Sequence, residues 1–330
     1  MLEPLLSICI PTYNRAELLS YSLAQMIIET TKFKDKIEII ISDNNSTDNT
    51  KAIVNKFKEN NKILKYYKND ENIGFNYNIF KIIDKYATGK FCWIIGDDDF
   101  IYNNSISSLI SVLQNQENID FIYTNYDLIE IEKNRNIFFK DKIFNRLSNF
   151  DNPIGYSCSF DDILTKEFRS SNILLTFIST TIFRKNLITS LEKTEIKKES
   201  WTNFQSLFPH SYFYAKIMKG RHSYFFETPL IFASIHEKSW DDKLPLLYLK
   251  FIPELFDFYT RNGYSREILK KTHESIVLST ITFLFRQNNS GKLNSFQLKI
   301  NFLKHNFLSA YFYKAIYLVA VKKMKLVLIN

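Results

Sequence analysis

Three consecutive aspartates are the most unusual chemical group in this chain. Asp97, Asp98 and Asp99 come directly after the apolar run 92–95. Adjacent carboxylates at the end of a buried strand repel one another unless a cation lies among them. Oxygen ligands favour Mg²⁺ or Mn²⁺, which proteins typically hold with one or two carboxylates and substrate phosphates. For the three aspartates taken alone, the alternative is a solvated acidic turn before a helix that begins near Asn104.

Three further polar groups also follow apolar runs. They are residues 11–15, residues 42–45 and residues 72–74. Ligands of a parallel α/β sheet gather outside the carboxyl ends of its strands, so we expect these groups to share one site with the aspartates. Asp43 alone is a weak signal, because aspartates at strand ends often begin turns. A turn before a helix is the alternative for Asn72 and Gly74.

Short apolar runs alternate with amphipathic stretches over the first 125 residues, which predicts βα units around a parallel sheet. The predicted strands are residues 5–11, 37–43, 63–68, 91–96 and 121–126. The predicted helices are residues 16–30, 49–59, 75–85 and 104–114.

The second half of the chain has a less regular pattern. Residues 131–172 are aromatic, asparagine-rich and charged, which indicates a long excursion over the ligand side of the sheet. The elements predicted after it are a strand over 177–183, a helix over 208–218, a strand pair over 223–235 and a helical region after Pro245.

The composition is that of an ordinary globular protein, with 45% hydrophobic and 24% charged residues among 330. Disordered, collagen-like and small disulfide-rich proteins are therefore excluded. Apolar runs such as 317–321 fall far short of the roughly 18 to 20 residues that a membrane-spanning helix needs. The N-terminus carries Glu3 instead of a basic segment, so we predict no signal peptide and expect a cytoplasmic protein. The three cysteines, which form no CxxC pattern, are expected to be reduced.

The seven glycines do not form the phosphate-binding loops of other nucleotide-dependent enzymes. A dinucleotide-dependent oxidoreductase would show G-x-G-x-x-G and a P-loop NTPase would show GxxxxGK[ST], and neither pattern occurs. A nucleotidyltransferase would normally carry a glycine-rich loop near its N-terminus, which residues 11–13 do not provide.

The net charge of +8 lies entirely in the C-terminal segment. Residues 1–274 carry 35 basic and 35 acidic side chains, whereas residues 275–330 carry eight basic and no acidic ones. This segment suggests a phosphate-bearing partner, which is an anionic membrane surface, a lipid diphosphate or nucleic acid. Apolar residues between 302 and 319 recur at helical spacing. The segment therefore either packs on the rest of the chain or lies on an anionic membrane as an interfacial helix.

Four stretches of this sequence resemble the family 2 glycosyltransferases, which are inverting, nucleotide-sugar-dependent enzymes of the GT-A fold. The stretches are SICIPTYNR (7–15), IISDNNSTDNT (40–50), NIGFN (72–76) and WIIGDDD (93–99). The resemblance is strong over residues 5–125 and fades afterwards. It implies an α/β protein with a Rossmann-like, mostly parallel sheet flanked by helices and followed by a helical C-terminal region.

The domain division expected from this resemblance has two parts. A GT-A catalytic domain covers residues 1–240, with a nucleotide-sugar-binding half (1–125) and an acceptor-side half (126–240). Residues 241–330 form a basic helical region.

The resemblance also implies roles for individual residues. The donor-binding residues carried over by position are Pro11, Thr12, Tyr13, Arg15, Asp43, Asn72, Gly74, Asp97, Asp98 and His236. The three aspartates look like the family's DXD-type metal motif, and the ligand pair is either the first and third or the second and third. We therefore expect Mn²⁺ or Mg²⁺, which would neutralise charge on the departing nucleoside diphosphate. His236 opens an H-x-x-S segment that resembles a diphosphate or metal contact, with a surface-loop histidine as the alternative.

An inverting transfer needs a general base that takes the proton from the acceptor hydroxyl. In the family this is usually an acidic residue at the start of a helix, and His210 stands at the corresponding position here. A histidine with a pKa near 6.5 is a competent base at neutral pH, although a lone histidine at a helix start is more often structural. Glu199, Asp161 and Asp162 are the alternatives.

The function implied by the resemblance is transfer of a sugar from a nucleotide-sugar, with UDP as the expected nucleotide, to a saccharide acceptor. Bacterial relatives of this pattern build surface polysaccharides or glycans on lipid carriers. We therefore expect a lipid-linked acceptor, a location at the inner face of the cytoplasmic membrane, and no nucleic-acid partner. The alternative is a basic membrane-surface or nucleic-acid binding module on a catalytically inactive GT-A fold. Nucleic-acid binding would depend on the lysines of residues 275–330 and on salt, whereas transfer would depend on Asp97 to Asp99 and on divalent metal.

Overall fold

The computed structural model describes residues 3–116, 118–130, 153–165, 176–235, 243 and 246–269. Within these ranges, nine strands form one sheet and nine α-helices accompany it. The strands are β1 (Leu6–Thr12), β2 (Ile37–Asp43), β3 (Leu64–Lys68), β4 (Phe91–Ile94), β5 (Phe100–Ile101), β6 (Phe121–Glu130), β7 (Gly155–Ser159), β8 (Thr181–Arg184) and β9 (His222–Ile235). The helices are α1 (Ala16–Thr30), α2 (Thr50–Lys58), α3 (Phe75–Lys81), α4 (Ser105–Asn115), α5 (Phe160–Thr165), α6 (Lys185–Thr189), α7 (Phe204–Leu207), α8 (Pro209–Ile217) and α9 (Ile252–Arg261).

The first half of the chain builds the parallel part of the sheet. β1 pairs in parallel with β2 and with β4, and β2 pairs in parallel with β3. Every residue of β1 and β2 is buried, which is typical of parallel strands covered on both faces. Cys9 and Ile40 enter the hydrophobic core on one face of the sheet, and Ile8 and Ile41 enter the core on the other.

The second half of the chain completes the sheet out of sequence order. The strand order is β3-β2-β1-β4-β8-β6-β9-β5, with β7 beside β9. β8 lies between β4 and β6 and is antiparallel to both, whereas β6 and β9 are parallel. β5 and β7 are antiparallel to β9. The α/β class is thus confirmed, with a mixed sheet in which four of the eight strand pairings described here are parallel.

The predicted elements of the first 125 residues agree closely with the structure. The predicted helix over 16–30 and strand over 37–43 have the bounds of α1 and β2. The strand pair predicted over 223–235 is instead the single strand β9. Its register with β6 shifts between Thr124 and Tyr126, opposite a stretch that contains Pro229, which has no backbone N–H to donate.

The prediction that residues 131–172 cover the ligand side of the sheet is wrong for the part that the structure describes. β7 is a regular strand that pairs with the start of β9, with Ser159 opposite His222. Ser223 in turn lies opposite Phe121, at the start of β6. α5 therefore begins at the amino ends of the parallel strands, which is the edge opposite to the three aspartates. Residues 131–152 and 166–175 lie outside the described ranges.

The helical region predicted after Pro245 is confirmed as far as residue 261. A π-helical turn (Leu247–Phe251) leads into α9, whose Leu255 and Tyr259 enter the same core as Tyr214 of α8. Within the described ranges, no helix is long and apolar enough to cross a membrane. The basic segment 275–330 lies outside them, and the domain division at residue 240 stays a prediction.

Candidate active site

Three of the four predicted polar groups meet at the carboxyl ends of adjacent strands. Thr12 at the end of β1 lies directly opposite Asp43 at the end of β2. On the other side of β1, Cys9 lies opposite Ile94, the last residue of β4, and the aspartates follow shortly after it. The parallel pairing of these strands therefore brings residues from three distant parts of the chain to one edge.

The loops after β1 and β2 are joined by hydrogen bonds. The backbone N–H of Asn14 donates to Ser46 Oγ at 2.8 Å, and the N–H of Thr47 donates to Asn14 Oδ1 at 2.8 Å. Asn14 has a φ of 53°, in the left-handed region that asparagine tolerates better than most residues. The N–H of Ala16, which lacks a helical partner, donates to Asp48 Oδ2 at 3.0 Å. These contacts fix the backbone that carries Arg15.

Thr12 and Arg15 hold the first two aspartates. Thr12 Oγ1 donates to Asp97 Oδ2 at 2.7 Å. One terminal nitrogen of Arg15 lies 3.1 Å from Asp97 Oδ1 and 2.7 Å from Asp98 Oδ2. Asp97 is buried, while the side chain of Arg15 remains 46% exposed. The structure therefore brings Thr12 and Arg15 into contact with the aspartates, and their contact with a nucleotide stays a prediction.

Asp99 is anchored by three other parts of the chain. Its Oδ2 accepts a hydrogen bond from Ser179 Oγ at 2.7 Å and one from the N–H of Gly96 at 3.3 Å. Its Oδ1 accepts one from the N–H of Ser234 at 3.3 Å. A Cβ at Gly96 would lie 2.7 Å from Asp99 Oδ2, so this close approach requires glycine.

Burial and mutual repulsion make these carboxyl groups hard to ionise together. Burial raises the pKa of Asp97 to about 6, with Arg15 opposing the shift and Asp98 adding to it. Burial raises the pKa of Asp99 to about 7, and the charge of Asp98 adds to that shift. The cluster therefore carries more negative charge than Arg15 alone compensates, which is the electrostatic condition for binding a further cation.

Asp43 is buried, and both of its carboxylate oxygens accept protein hydrogen bonds. The N–H of Ser46 donates to Oδ1 at 2.7 Å, and the Tyr66 hydroxyl donates to Oδ2 at 2.6 Å. Burial, followed by the contact with Asp43, raises the pKa of Tyr66, which keeps its hydroxyl protonated as a donor. In this structure Asp43 holds the turn after β2, and its direct contact with a nucleotide stays a prediction.

Asn44 connects the turn after β2 with the turn before α3. Its Nδ2 donates to Asn72 Oδ1 at 2.9 Å, and its Oδ1 accepts from the N–H of Ile73 at 3.0 Å and from Asn69 Nδ2 at 3.1 Å. Asn72 Oδ1 also accepts from the N–H of Gly74. Asn72 and Gly74 are thus held beside the end of β2, and their contact with the donor stays a prediction.

Gly74 lies against the segment that precedes α7. Its φ is 84°, and a Cβ there would lie 2.6 Å from the carbonyl oxygen of Lys198. Asn76 Nδ2 donates to the Lys197 carbonyl at 3.0 Å, and the Tyr77 hydroxyl donates to the Ile196 carbonyl at 3.2 Å. Residues 196–198 therefore flank the Asn72–Gly74 turn, and we call the space beside this turn at the carboxyl edge of the sheet the cleft.

Two residues predicted to line the donor pocket differ in exposure. Pro11 is buried inside β1, opposite Ser42 of β2, and contributes to the sheet. Tyr13 is 45% exposed and presents its ring at the carboxyl edge.

His210 lies in an apolar environment. It faces a small cavity whose wall is almost entirely apolar, with Phe80 and Phe183 among its lining residues. Its Nε2 is buried with no hydrogen-bond partner, and burial lowers the pKa of His210 to about 3. A group with so low a pKa is a weak base, so this environment does not favour the predicted role.

The alternative bases lie at different edges of the sheet. Asp162 accepts hydrogen bonds from Ser159, and Asp161 accepts one from the N–H of Gly220. Both begin α5 at the edge opposite to the aspartates, so the structure contradicts them as bases. Glu199 is exposed and directly follows the residues that lie against Gly74. His236 lies outside the described residues.

Sequence reasoning missed the contacts that hold Asp99. Ser179 precedes β8, which is antiparallel, so the start of this strand reaches the edge where the parallel strands end. Ser234 is near the end of β9. Ser179 stands before a strand, whereas the site residues of a parallel sheet are expected after its strands. The run 177–183 predicts a strand, but local sequence does not predict that this strand is antiparallel to its neighbours.

One or two of the three aspartates could hold a divalent ion. The groups present are hard carboxylate oxygens with excess negative charge, as Mg²⁺ and Mn²⁺ prefer. Within the part of the chain that the structure describes, however, no group of three or more acidic, histidine or cysteine side chains is arranged to ligate one metal. Three aspartates around one ion is therefore not the arrangement found, and one or two carboxylates completed by substrate phosphates is the arrangement that fits.

The fold is that of the GT-A glycosyltransferases, a mixed α/β sheet with helices and a carboxylate cluster at the carboxyl ends of its parallel strands. A crystal structure of S. aureus TarS, residues 1–349, in complex with UDP-GlcNAc has a TM-score of 0.58 to this structure. The similarity covers 91% of this chain and 80% of that one at 18% sequence identity.

Sequence comparisons define the family within this class. The family model for glycosyl transferase family 2 matches residues 7–164. The abequosyltransferase RfbV of Salmonella typhimurium is 26% identical in an alignment 301 positions long, which covers 85% of this chain and 82% of RfbV. A GalNAc(5)-diNAcBac-PP-undecaprenol β-1,3-glucosyltransferase of Campylobacter jejuni is 30% identical over 210 residues, 63% of this chain and 60% of that protein. Residues 7–164 therefore match glycosyl transferase family 2, and the protein is a glycosyltransferase.

Proposed function

We propose that this glycosyltransferase moves a sugar from a nucleotide-sugar to a saccharide acceptor in a single displacement that inverts the anomeric centre. The observation that carries the proposal is the cluster of Thr12, Arg15, Asp97 and Asp98, joined by contacts of 2.7 to 3.1 Å. It lies at the carboxyl ends of adjacent parallel strands, where open α/β sheets bind their ligands.

The proposed donor is a UDP-sugar. Tyr13 has an exposed ring that would pack against the nucleotide, and the Asn72–Gly74 turn would form the facing wall. The complex of the structurally similar TarS with UDP-GlcNAc supports this choice of nucleotide. Arg15 would donate hydrogen bonds to the diphosphate, since guanidinium groups match phosphate oxygens in two-point contacts.

The proposed acceptor is a lipid-linked saccharide of a surface polysaccharide or oligosaccharide. Support comes from the names of two relatives, an abequosyltransferase and a glucosyltransferase whose substrate carries PP-undecaprenol. In this proposal, the basic segment 275–330 would meet the anionic membrane surface that holds such an acceptor.

We further propose that Mn²⁺ or Mg²⁺ takes part in the reaction. One or two of the aspartates 97, 98 and 99 would hold the ion together with the diphosphate. When bound, the ion would neutralise the charge that develops on the departing nucleoside diphosphate.

We propose Glu199 as the general base in place of His210. Glu199 is exposed and follows the segment that lies against Gly74, so its carboxylate would be open to an acceptor hydroxyl, whereas the His210 ring is buried among apolar side chains. We expect Glu199→Gln to reduce turnover by roughly 10²- to 10⁴-fold with little effect on donor affinity. Normal turnover of Glu199→Gln together with a comparable loss in His210→Gln would return the role to His210.

The proposed function is tested by incubating the full chain with a panel of nucleotide-sugars and measuring release of the nucleoside diphosphate. We expect hydrolysis of a UDP-sugar in the presence of Mn²⁺ and its loss in Asp98→Asn. Hydrolysis that is equal in wild type and Asp98→Asn, or equal with chelator and with Mn²⁺, would contradict the proposed site or the proposed metal, respectively.

A further inference from the structure

One nitrogen of Arg15 bridges two carboxylates. It lies 3.1 Å from Asp97 Oδ1 and 2.7 Å from Asp98 Oδ2. The second oxygen of Asp97 is held by Thr12 Oγ1 at 2.7 Å. The guanidinium of Arg15 is thus a cation shared by the carboxylates of Asp97 and Asp98.

The side chain of Arg15 can leave this position at little structural cost. Its backbone is fixed between Asn14 and Ala16 by the contacts with the loop after β2. Its side chain, in contrast, is 46% exposed, so rotation into solvent would not open the hydrophobic core. Asp97 is 7% exposed in its side chain and remains in place, since Thr12 also holds it.

A divalent ion and the guanidinium compete for the same two carboxylates. Both are positively charged, and their repulsion is strong at the partly buried edge of the sheet because screening by water is reduced there. We propose that Arg15 is an exchangeable counter-ion, which a divalent cation must displace from Asp97 and Asp98, and that Arg15 therefore sets the affinity of this site for the metal. Once displaced, its guanidinium faces the cleft and is available to the diphosphate.

The proposal deepens the proposed function, because it takes the same aspartates as the cation site. It is nevertheless tested without nucleotide or sugar, so that the two can fail separately. Stronger Mn²⁺ binding in an Arg15 variant, together with no donor hydrolysis by the wild type, would support the exchange and contradict the function. Donor hydrolysis by the wild type, together with unchanged Mn²⁺ binding in the Arg15 variant, would support the function and contradict the exchange.

The experiment is a titration of the full chain with Mn²⁺ alone, with free Mn²⁺ measured by electron paramagnetic resonance at about 0.15 M salt. We expect Arg15→Gln to bind Mn²⁺ at least tenfold more tightly than the wild type, since the competing charge is gone. Arg15→Lys should bind Mn²⁺ much as the wild type does, because it keeps the charge. Arg15→Ala provides a second neutral variant if the glutamine protein is not folded by circular dichroism.

Two further variants test whether an increase in Mn²⁺ affinity arises at Asp97 and Asp98. Arg261→Gln removes one exposed positive charge on α9 and should leave Mn²⁺ affinity unchanged. Adding Asp98→Asn to Arg15→Gln should abolish the gain. The proposal is overturned if Arg15→Gln binds Mn²⁺ no better than wild type, if neither protein binds it, or if Arg261→Gln gains as much.

Discussion

Asp98 differs from its neighbours because it is the aspartate of the cluster that is only partly buried. Asp97 and Asp99 have exposed fractions of 5% and 3%, while the Asp98 side chain is 15% exposed. Hydrogen bonds from Thr12 and Ser179 hold the two buried carboxylates, so these groups have structural as well as electrostatic roles. A substitution at Asp98 is therefore the cleanest probe of charge in the site.

We expect Asp98→Asn to lower turnover by roughly 10²- to 10³-fold, the range for losing one preorganised electrostatic contact in a transition state. The melting temperature should stay close to the wild-type value or rise, since one of three repelling charges is removed. Turnover and thermal melting are compared with those of Asp70→Asn, which neutralises an exposed aspartate. Equal turnover in the two variants would remove Asp98 from the reaction.

The burial of His210 in the apolar core makes the stability of the protein depend on pH. Burial lowers its pKa to about 3 in the folded protein, below the ordinary value of 6.5. Because the folded protein holds this ring in its neutral form, His210 does not oppose folding above pH 6.5. As the pH falls from 6.5 towards 3, protonation of the ring in the unfolded chain lowers the free energy of unfolding. The loss should approach about 1.4 kcal/mol for each pH unit below about 6.

We expect His210→Leu to reduce the slope of unfolding free energy against pH between 6 and 4 by this amount. Leucine has a similar volume and no group to protonate. The measurement is urea unfolding at several pH values, with His222→Gln as an exposed-histidine control. An unchanged slope in His210→Leu would show that protonation of this ring does not oppose folding.

At the scale of elements, the turn before α3 depends on Asn44 more than on its own sequence. The side chain of Asn44 contacts Asn72 through its donor and Ile73 through its acceptor. An aspartate at this position would keep the acceptor but replace the Nδ2 donor with an oxygen facing Asn72 Oδ1, which is repulsive.

We expect Asn44→Asp to weaken UDP binding by about tenfold, or roughly 1.4 kcal/mol, because the Asn72–Gly74 wall of the cleft is no longer held in place. Calorimetry with UDP checks this, and Asn60→Asp introduces the same charge at an exposed site away from the cleft. Equal UDP affinity in Asn44→Asp and wild type would contradict a positioning role for Asn44.

The bounds of helices and strands are predicted well where the hydrophobic pattern is strong and the strands pair with others close in sequence. α1 and β2 have the predicted bounds because each is a strongly patterned segment. β8 was foreseen as a strand, but its antiparallel insertion between β4 and β6 depends on contacts with segments about 60 and 90 residues away. The serines that hold Asp99 depend on that insertion, so no local pattern could reveal them. The environment of His210 likewise depends on packing between α3, α6 and α8, which sequence spacing does not determine.

At the scale of the whole molecule, the sheet includes strands that lie beyond the part of the chain matched by the family model. The match ends at residue 164, yet β8 and β9 supply the neighbours of β4 and β6. A fragment ending at residue 165 would leave both β4 and β6 with unpaired edges, and such edges promote aggregation.

We expect the fragment 1–165 to aggregate or stay unfolded, whereas 1–269, which contains every element described above, should give a folded sheet. Size-exclusion chromatography and near-ultraviolet circular dichroism distinguish these outcomes. A monomeric 1–165 fragment with native-like aromatic signals would show that its sheet closes without β8 and β9.

The insertion of β8 and β9 also has a consequence for synthesis on the ribosome. β6 ends at Glu130, but β9, its parallel partner, ends only at Ile235. At about 5 to 20 residues per second, roughly 5 to 20 s pass between the emergence of these two ends. During that interval the nascent chain displays open strand edges and uncovered apolar faces. Its yield in a cell should therefore depend on chaperones that bind nascent chains more strongly than its final stability would suggest.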